Sequence, residues 1–282
     1  MNNENFFDEI TIDTLDEFNK YIKDNILSSL DISDTDIPSE INIIDINYKV
    51  PNRYFRGHSK DDYLLQSTLE REISKLITNP TKEVYNDIQN DYLSKCKELL
   101  RGKLPEQSLL LTDQFDDEIW AIGQHFGLKT PLLDWTYSFN IALFFAFKDY
   151  NENTSKNNEY RVVYCLNNSL ATNIKIIEPK IDIGGRLNAQ QGVFTKYLYS
   201  ELQEILESTN HSPLTKIGYY PLTKLKIKSS LRNKVISYLN KININNSTLF
   251  PDITGAIMDC HLHLDNILEL KGLEYTNAQY IY

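Results

Sequence analysis

The chain has 282 residues and a mass of 32.8 kDa, which predicts one large domain or one domain with an appended subdomain. Its net charge of −10 disfavours DNA as a partner and also disfavours broad electrostatic binding to RNA or anionic lipid. The acidic N-terminus does not resemble a signal peptide, and no apolar run reaches the roughly 18 residues that span a bilayer. Three widely spaced cysteines argue against a disulfide framework and a zinc cluster. We therefore expect a cytoplasmic protein with no membrane partner and no metal.

Helical periodicity dominates the first half of the chain. Apolar residues recur at helical spacing in four segments, the first of which has Thr14 as its expected N-cap. Helices are predicted at 11–30, 64–79, 83–101 and 117–127. The polar stretch after the first helix predicts a loop with a short strand in "INIIDI", and "YFR" predicts a strand over 52–56 that ends at Gly57.

Strand signals concentrate in the second half. The segment "LKTPLLDWT" predicts a turn, and "SFNIALFFAFKDY" predicts a buried helix with Asp134 or Thr136 as its N-cap. Strands are then predicted in "YRVVYCLN", "IKIIEP", "GVFTKYLY" and "LTKLKIK", followed by two helices. This order predicts an α+β fold with a helical N-terminal half. Residues 1–48 are expected to form a helix and loop that pack on a single globular unit, 49–282.

Three segments carry residues suited to ligand chemistry. In "YFRGH", Arg56 suits bidentate phosphate recognition, and Gly57 permits a turn or close ligand approach beside His58. The alternative is that Arg56 pairs with a core carboxylate and that Gly57 merely turns the chain. "RLNAQQGVFTKY" predicts that at least one of Gln190 and Gln191 faces a cleft, although surface glutamines are the simpler reading.

The third segment, "GQHFGLKTPLLDWT", places Gln124 and His125 at a helix end and Asp134, Trp135 and Thr136 before the buried helix. Polar side chains between buried segments need hydrogen-bond partners, which makes this pair a candidate for a site. Trp135 offers a flat face for a ring, although tryptophan is more often a core residue.

Two other patterns favour ordinary surface roles. The cations of 216–234 alternate with apolar residues, which is more typical of a solvated strand and helix face than of an RNA-binding patch. In "CHLH", His261 and His263 point in different directions on a strand or a helix, so they do not predict a shared metal ion.

These segments together resemble the FRG domain, a family named for its aromatic-Arg-Gly motif. The ordered landmarks are "YFRG", "LLQSTLER", "GQHFGLKTPLLDWTYSFNIALFFAF", "AQQGVFT" and "LFPDITGA", and the resemblance runs from about residue 20 to about residue 265. Most FRG domains are uncharacterised bacterial and phage-associated proteins, so the resemblance itself implies little biochemistry.

A more distant resemblance, to ADP-ribosyltransferases, implies a mixed-sheet core that binds NAD. Arg56 is similar to the arginine that holds the dinucleotide, and "DWTYSFNIALFFAF" with the strand after it is similar to the second motif of that fold. The third motif falls at "QQGVF". The resemblance implies that Trp135 or an aromatic near Phe194 stacks on the nicotinamide, and that Thr136 and Gln191 orient the riboses. It also implies that His58 or His125 contacts a ribose or acts as a base.

The chain departs from that pattern where a glutamate is expected, because Gln190 or Gln191 stands there. A neutral amide can bond a ribose hydroxyl, but it cannot offer charge to a developing oxocarbenium ion. One hypothesis is an enzyme that transfers ADP-ribose to a protein or RNA acceptor or hydrolyses NAD, with Asp134 supplying the charge, and that serves as a bacterial or phage defence or toxin effector. The alternative is a module that senses a nucleotide in the same cleft without reaction.

Overall fold

The computed structural model describes residues 7–27, 53–78, 80–104, 106–149, 159–209 and 220–279. The strands are β1 Asp8–Ile12, β2 Arg53–His58, β3 Leu133–Thr136, β4 Tyr160–Asn167, β5 Gly192–Thr195 and β6 Leu222–Lys228. The α-helices are α1 Leu15–Tyr21, α2 Thr68–Ser74, α3 Lys82–Leu99, α4 Asp116–His125, α5 Phe139–Phe147, α6 Arg186–Ala189, α7 Tyr199–Thr209, α8 Arg232–Lys241, α9 Asn246–Leu249 and α10 Ile253–Gln279. A π-helical segment, Ile22–Leu27, follows α1, and single 3₁₀ turns lie at Gln107–Leu110, Asp113–Phe115 and Ser229–Leu231.

The six strands form one mixed sheet in the order β1-β6-β4-β2-β3-β5. β1 and β6 are parallel, and the other neighbouring strands are antiparallel. β2 pairs with β4 along its whole length, whereas its pairing with β3 is limited to Phe55 and Thr136. The predicted α+β class is therefore confirmed, and β2 is an interior strand that has a full partner on one side only.

Helix α5 is the central helix of the core. Eight of its nine residues are apolar, with Asn140 the exception, and Ala142, Leu143 and Ala146 have no solvent-exposed surface. It packs on the sheet face that carries Phe55 and on α8. This enclosure agrees with the rule that a helix without a polar face is buried on all sides, and it confirms the predicted buried helix.

Gly57 allows α5 to pack directly on β2. A Cβ atom at this position would lie 2.0 Å from the carbonyl oxygen of Ala142 and 2.6 Å from the amide nitrogen of Ala146. Both are backbone atoms of a buried helix, so they cannot move away as a flexible side chain could. The prediction that Gly57 ends the strand is therefore wrong: β2 continues through the glycine to His58 because the glycine serves helix packing and makes no turn.

The segment around Asp134 also differs from its prediction. Leu133–Thr136 is a strand and not a turn, because all four of its residues pair with β5 and Thr136 also pairs with Phe55 of β2. The N-cap of α5 is Ser138, whose hydroxyl accepts from the amide of Ile141, and neither Asp134 nor Thr136 caps this helix. The Thr136 hydroxyl instead accepts from the backbone amide of Ser138, two residues further along the chain.

Other element predictions are partly correct. Thr14 caps α1 through a capping box with Glu17, as predicted, but β1 lies immediately before it and was not predicted. Tyr160–Asn167 is a strand as predicted. "IKIIEP" does not form a strand and contributes only a single bridge, between Ile177 and Phe194. In "GVFTKYLY" the strand covers only Gly192–Thr195, and α7 begins at Tyr199. The strand predicted in "INIIDI" lies outside the described residues.

Within the basic stretch 216–234, the described strand β6 has its lysines paired with carboxylates. Lys224, Lys226 and Lys228 of β6 each lie within 4 Å of a carboxylate, on Glu9 of β1 or on Asp13, Asp61 or Glu159. All three cysteines are free thiols. In the described ranges, no helix combines the length and apolar character required to cross a bilayer.

Substitution of Gly57 by alanine is expected to destabilise the fold by about 3 kcal/mol or more, since the new methyl group would overlap helix backbone. Urea unfolding followed by circular dichroism measures the change. Gly102→Ala is the matched control: its site has open space and a positive φ of 69°, so a loss of only about 1 kcal/mol is expected there. Equal losses in the two variants would contradict this account of the β2–α5 contact.

Candidate functional site

The candidate site lies where the pairing between β2 and β3 stops. Beyond the Phe55–Thr136 pair, the backbone of β3 receives a side-chain donor in place of a strand partner: Nη1 of Arg56 donates to the carbonyl oxygen of Asp134 at 2.6 Å. The same nitrogen lies 3.2 Å from Oδ2 of Asp134. Arg56 therefore connects the two strands at the point where the sheet opens.

The ion pair of Arg56 and Asp134 is open on its carboxylate side. The Arg56 side chain is only 16% exposed, whereas that of Asp134 is 59% exposed. Burial lowers the pKa of the Arg56 guanidinium, and the charge of Asp134 opposes this shift, but an arginine remains protonated at neutral pH. Nη2 of Arg56 has no hydrogen-bond partner within the described part of the chain, so it is the nitrogen left for a ligand.

His58 holds Arg56 from the other side. Nε of Arg56 donates to Nε2 of His58 at 2.9 Å, and Nδ1 of His58 lies 3.2 Å from the carbonyl oxygen of Tyr63. A guanidinium cannot accept a hydrogen bond and a carbonyl cannot donate one, so these partners assign the neutral tautomer with its proton on Nδ1. Burial, followed by the charge of Arg56, lowers the pKa of His58 well below its usual value, which agrees with this assignment.

Asp134 is fixed through its second oxygen as well. Nε2 of Gln124, near the end of α4, donates to Oδ1 of Asp134, and the hydroxyl of Thr130 donates to Oε1 of Gln124. Thr130 is fully buried. A continuous hydrogen-bonded row thus runs from Arg56 to the core, and Gln124 acts in it by holding the carboxylate.

Gln190 contacts the site from the segment before β5. Its carbonyl oxygen accepts from the Thr136 hydroxyl at 2.7 Å, and its side-chain Nε2 donates to the carbonyl oxygen of Leu249 at 3.0 Å. These bonds fix both the backbone and the amide group. Gln191, by contrast, is exposed and has a positive φ of 47°, and its backbone carbonyl accepts from the amide of Tyr137.

These residues border a cavity of about 930 Å³, which we call the Arg56 cavity. Its size is in the upper part of the range for small-molecule sites. Its polar lining includes three cations, three carboxylates and two amides: Arg56, Arg71, Lys148, Asp62, Asp134, Asp149, Gln66 and Gln190. Tyr63 and Leu64 contribute exposed apolar surface at the rim, and Phe145 contributes an aromatic wall.

A second, smaller hollow of about 160 Å³ adjoins this cavity, and we call it the His125 hollow. Asp134 and Gln190 line both spaces. The remaining walls of the hollow come from α4, from residues 181–187 and from β5 and Phe250. Burial and the charge of Arg186 lower the pKa of His125, which favours a neutral imidazole at pH 7.

The predicted site residues divide between the two spaces. Arg56, Gly57, His58, Asp134, Trp135, Thr136 and Gln190 line the Arg56 cavity, and Gln124, His125 and Phe194 line the His125 hollow with Asp134 and Gln190. Gln191 lines neither of them. The Trp135 ring is 3% exposed and its indole N–H donates to Thr195, so its faces pack in the core and are not available for stacking.

Three basic residues of the two spaces were missed from the sequence. Arg71 lines the Arg56 cavity and is tethered by a hydrogen bond to the carbonyl of Gln66, Lys148 lies over the rings of Phe145 and Phe250, and Arg186 lines the His125 hollow. Arg71 ends the landmark "LLQSTLER" and Arg186 begins "RLNAQQGVFTKY", but neither segment indicates that its cation faces the site. Only the folded arrangement brings them to the site.

Comparison with known proteins gives one finding. Residues 51–155 match the family model of the FRG domain. This range includes β2, β3 and α5, and therefore Arg56, Gln124 and Asp134, while "AQQGVFT" and "LFPDITGA" lie beyond it. No curated protein and no solved structure matches the chain.

The pKa of His58 predicts a pH dependence of stability. Because its pKa is lower in the folded than in the unfolded chain, the unfolded state takes up a proton first as the pH falls below about 6.5. The free energy of unfolding should therefore decrease toward acid, by up to about 1.4 kcal/mol per pH unit from this group. This decrease should continue down to the lower pKa of the folded state.

Urea unfolding between pH 7 and pH 5 measures this slope in the wild type and in His58→Gln, which retains an acceptor for Arg56 and does not titrate. The slope should become shallower in His58→Gln. His125→Gln is the comparison, and we expect a smaller change from it because His125 is less buried. An unchanged slope in His58→Gln would contradict the neutral, buried state assigned to this histidine.

Proposed function

We propose that this chain, which carries an FRG domain at residues 51–155, binds a phosphate-bearing dinucleotide such as NAD in the Arg56 cavity and acts on it as an ADP-ribosyltransferase-like enzyme. The observation that supports the proposal is the convergence of Arg56, Asp134 and Gln190, from three separate parts of the chain, on one cavity of about 930 Å³. Charged, hydrogen-bonding and apolar groups meet there, as they do in cofactor sites.

Arg56 is the proposed phosphate ligand. Its Nε and Nη1 are held by His58 and Asp134, so the guanidinium plane is fixed before any ligand binds, which reduces the entropy lost on binding. Arg71 supplies a second guanidinium from α2 on the wall of the same cavity. Two arginines in one cavity suit a pyrophosphate, which carries two adjacent anionic groups.

Asp134 is the proposed catalytic carboxylate. When the bond between ribose C1′ and the nicotinamide nitrogen breaks, the bonding electrons leave with nicotinamide and positive charge develops on the ribose. A carboxylate at the cavity wall stabilises that charge. The C1′ atom then bonds to the oxygen of water, which releases a proton and gives ADP-ribose, or to a nucleophile of a protein or RNA acceptor. Gln190 and Thr136 are the proposed ribose-orienting residues, in place of Gln191.

A nucleotide-sensing module is the second candidate, and a specific observation favours it. The described lining of the Arg56 cavity contains no glutamate, and both oxygens of Asp134 already accept hydrogen bonds, from Arg56 and Gln124. A carboxylate neutralised in this way would support binding without turnover. In either case a cytoplasmic role as a bacterial or phage defence or toxin effector is a proposal that rests on the family resemblance alone.

NAD is expected to raise the melting temperature of the wild type, because a ligand that binds only the folded state stabilises it. Arg56→Gln should weaken NAD binding about 10- to 100-fold, the value of a charge-assisted hydrogen bond or two. Arg53→Gln is the matched control, since Arg53 lies on the same strand, outside the cavity, and bonds to the carbonyl of Asn25. Equal thermal shifts in the two variants would remove Arg56 from the site.

Nicotinamide release distinguishes the enzyme from the sensor. In an enzyme, Asp134→Asn should lower the rate of release from NAD by about 100-fold or more while binding remains within a few-fold of wild type. Asp62→Asn, which alters another carboxylate of the same cavity, should leave the rate nearly unchanged. If wild type binds NAD and releases no nicotinamide with any acceptor fraction tested, the sensing function replaces the enzymatic one.

A further inference from the structure

The long helix α10 presents apolar side chains to solvent. Five large apolar residues of its described part are between 40% and 77% exposed: Ile253, Ile257, Leu264, Ile267 and Leu268. The exposed thiol of Cys260 lies among them in the sequence. Single exposed apolar side chains are ordinary, but a contiguous set on one element marks an interaction surface.

The side of α10 that packs on the rest of the protein carries other residues. A Cβ atom at Gly255 would lie 2.2 Å from the carbonyl oxygen of Phe250, so the helix backbone is in direct contact there. Asp259 accepts from the backbone N–H of Asn246 at 3.1 Å, and Leu262 packs against the core. Successive helix residues are about 100° apart around the axis. Gly255, Asp259 and Leu262 therefore share one face, and the exposed apolar set is centred on the opposite face.

The exposed set repeats with the period of a coiled coil. Its positions follow one another in alternating steps of four and three residues, and we call them the α10 stripe: Ile253, Ile257, Cys260, Leu264, Ile267 and Lys271. All six are exposed. Such steps average 3.5 residues, which is the heptad spacing that keeps one helix in contact with another along its length. The stripe therefore indicates a second helix as its partner.

The spacing of the stripe is symmetric, so a second copy of α10 fits it in antiparallel orientation. When Cys260 of one copy faces Leu264 of the other, Ile257 faces Ile267 by the same two-fold axis, which lies at the level of Leu262. Every member of the stripe then has a member of the second stripe opposite it. Because Leu262 points to the core of its own copy, the two protein bodies lie on the outer sides of the helix pair.

The charges at the two ends of the stripe favour the antiparallel orientation over the parallel one. In a parallel pair Lys271 would face Lys271 of the other copy, and two like charges would meet in the seam. In the antiparallel pair Lys271 faces Ile253, the residue after the exposed carboxylate of Asp252. Opposite charges thus approach each other at both ends of the pair.

We infer that the α10 stripe joins two copies of this chain as an antiparallel helix pair. The matched stretch, 253–271, is about 27 Å long, which makes the interface small. Small interfaces give weak and reversible complexes, so we expect a dissociation constant in the micromolar range. The Arg56 cavity has no residue in the stripe, so this inference does not depend on the function proposed for that cavity.

Sedimentation velocity of the whole chain tests the inference. Over concentrations of about 1 to 200 µM, which bracket a micromolar dissociation constant, the average mass should rise from 32.8 kDa toward twice that value. Leu264→Glu puts a carboxylate near the middle of the seam in each copy and should weaken the dimer at least about 100-fold. Leu111→Glu is the matched control, because it makes the same change at an exposed leucine outside α10 and should leave the dimer intact. Melting curves verify that both variants are folded.

Disulfide trapping with copper phenanthroline determines the orientation of the two helices. Leu264→Cys puts a new thiol opposite Cys260 of the second copy, so a disulfide-linked dimer should appear on a non-reducing gel. The link should disappear when Cys260→Ser is added. Wild type should remain unlinked, because in the antiparallel pair the two Cys260 residues are about 6 Å apart along the helix axes in addition to their separation across the seam.

Four outcomes would overturn the inference. A wild type that stays at the mass of one chain over the whole concentration range has no such dimer. A dimer that persists in Leu264→Glu, or that is lost equally in Leu111→Glu, is not held by the stripe. Ready linking of wild type through Cys260, without linking of Leu264→Cys in the Cys260→Ser background, would show parallel helices. Binding of a monomeric wild type to phosphatidylcholine–phosphatidylglycerol vesicles, lost in Leu264→Glu, would assign the stripe to a lipid surface instead.

Discussion

The site depends on one hydrogen bond, from Nη1 of Arg56 to the carbonyl oxygen of Asp134. Pairing of β2 and β3 stops after a single residue pair, and this bond continues the connection between them with a side chain. An arginine is suited to the role because its five donors lie in one plane, so two can face the protein while others face a ligand. A lysine has a single nitrogen and could not serve both purposes in a fixed geometry.

The Arg56 guanidinium is mostly buried, so the hydration it loses has to be replaced, and neighbouring hydrogen-bond acceptors replace it. The ring of His58 accepts from Nε, and the carbonyl and carboxylate of Asp134 accept from Nη1. His58 performs this role only while it is neutral, because a protonated imidazole has no acceptor left. His58 of the segment "YFRGH" therefore supports Arg56, two residues away on the same face of the strand, and need not contact substrate.

The sequence predicted what depends on local patterns and missed what depends on packing. The helix at Phe139–Phe147, the strand at Tyr160–Asn167 and the Thr14 cap have continuous local signals, and all three are confirmed. Gly57 was misread because its close contact is with α5, about 85 positions further along the chain, which no local pattern reveals. "LDWT" was misread as a turn because four residues are too short to show the alternation of a strand.

The ion pair with Arg56 determines how much negative charge Asp134 could offer in the proposed reaction. The guanidinium lies 3.2 Å from Oδ2 and offsets the charge of the carboxylate. A phosphate that binds Arg56 brings a competing anion, so the guanidinium is shared and Asp134 becomes less neutralised. Two unit charges about 4 Å apart interact by roughly 4 kcal/mol at a dielectric constant near 20. Dinucleotide binding would thereby strengthen Asp134 as a partner for a developing ribose cation, while Gln124 keeps the carboxylate in place.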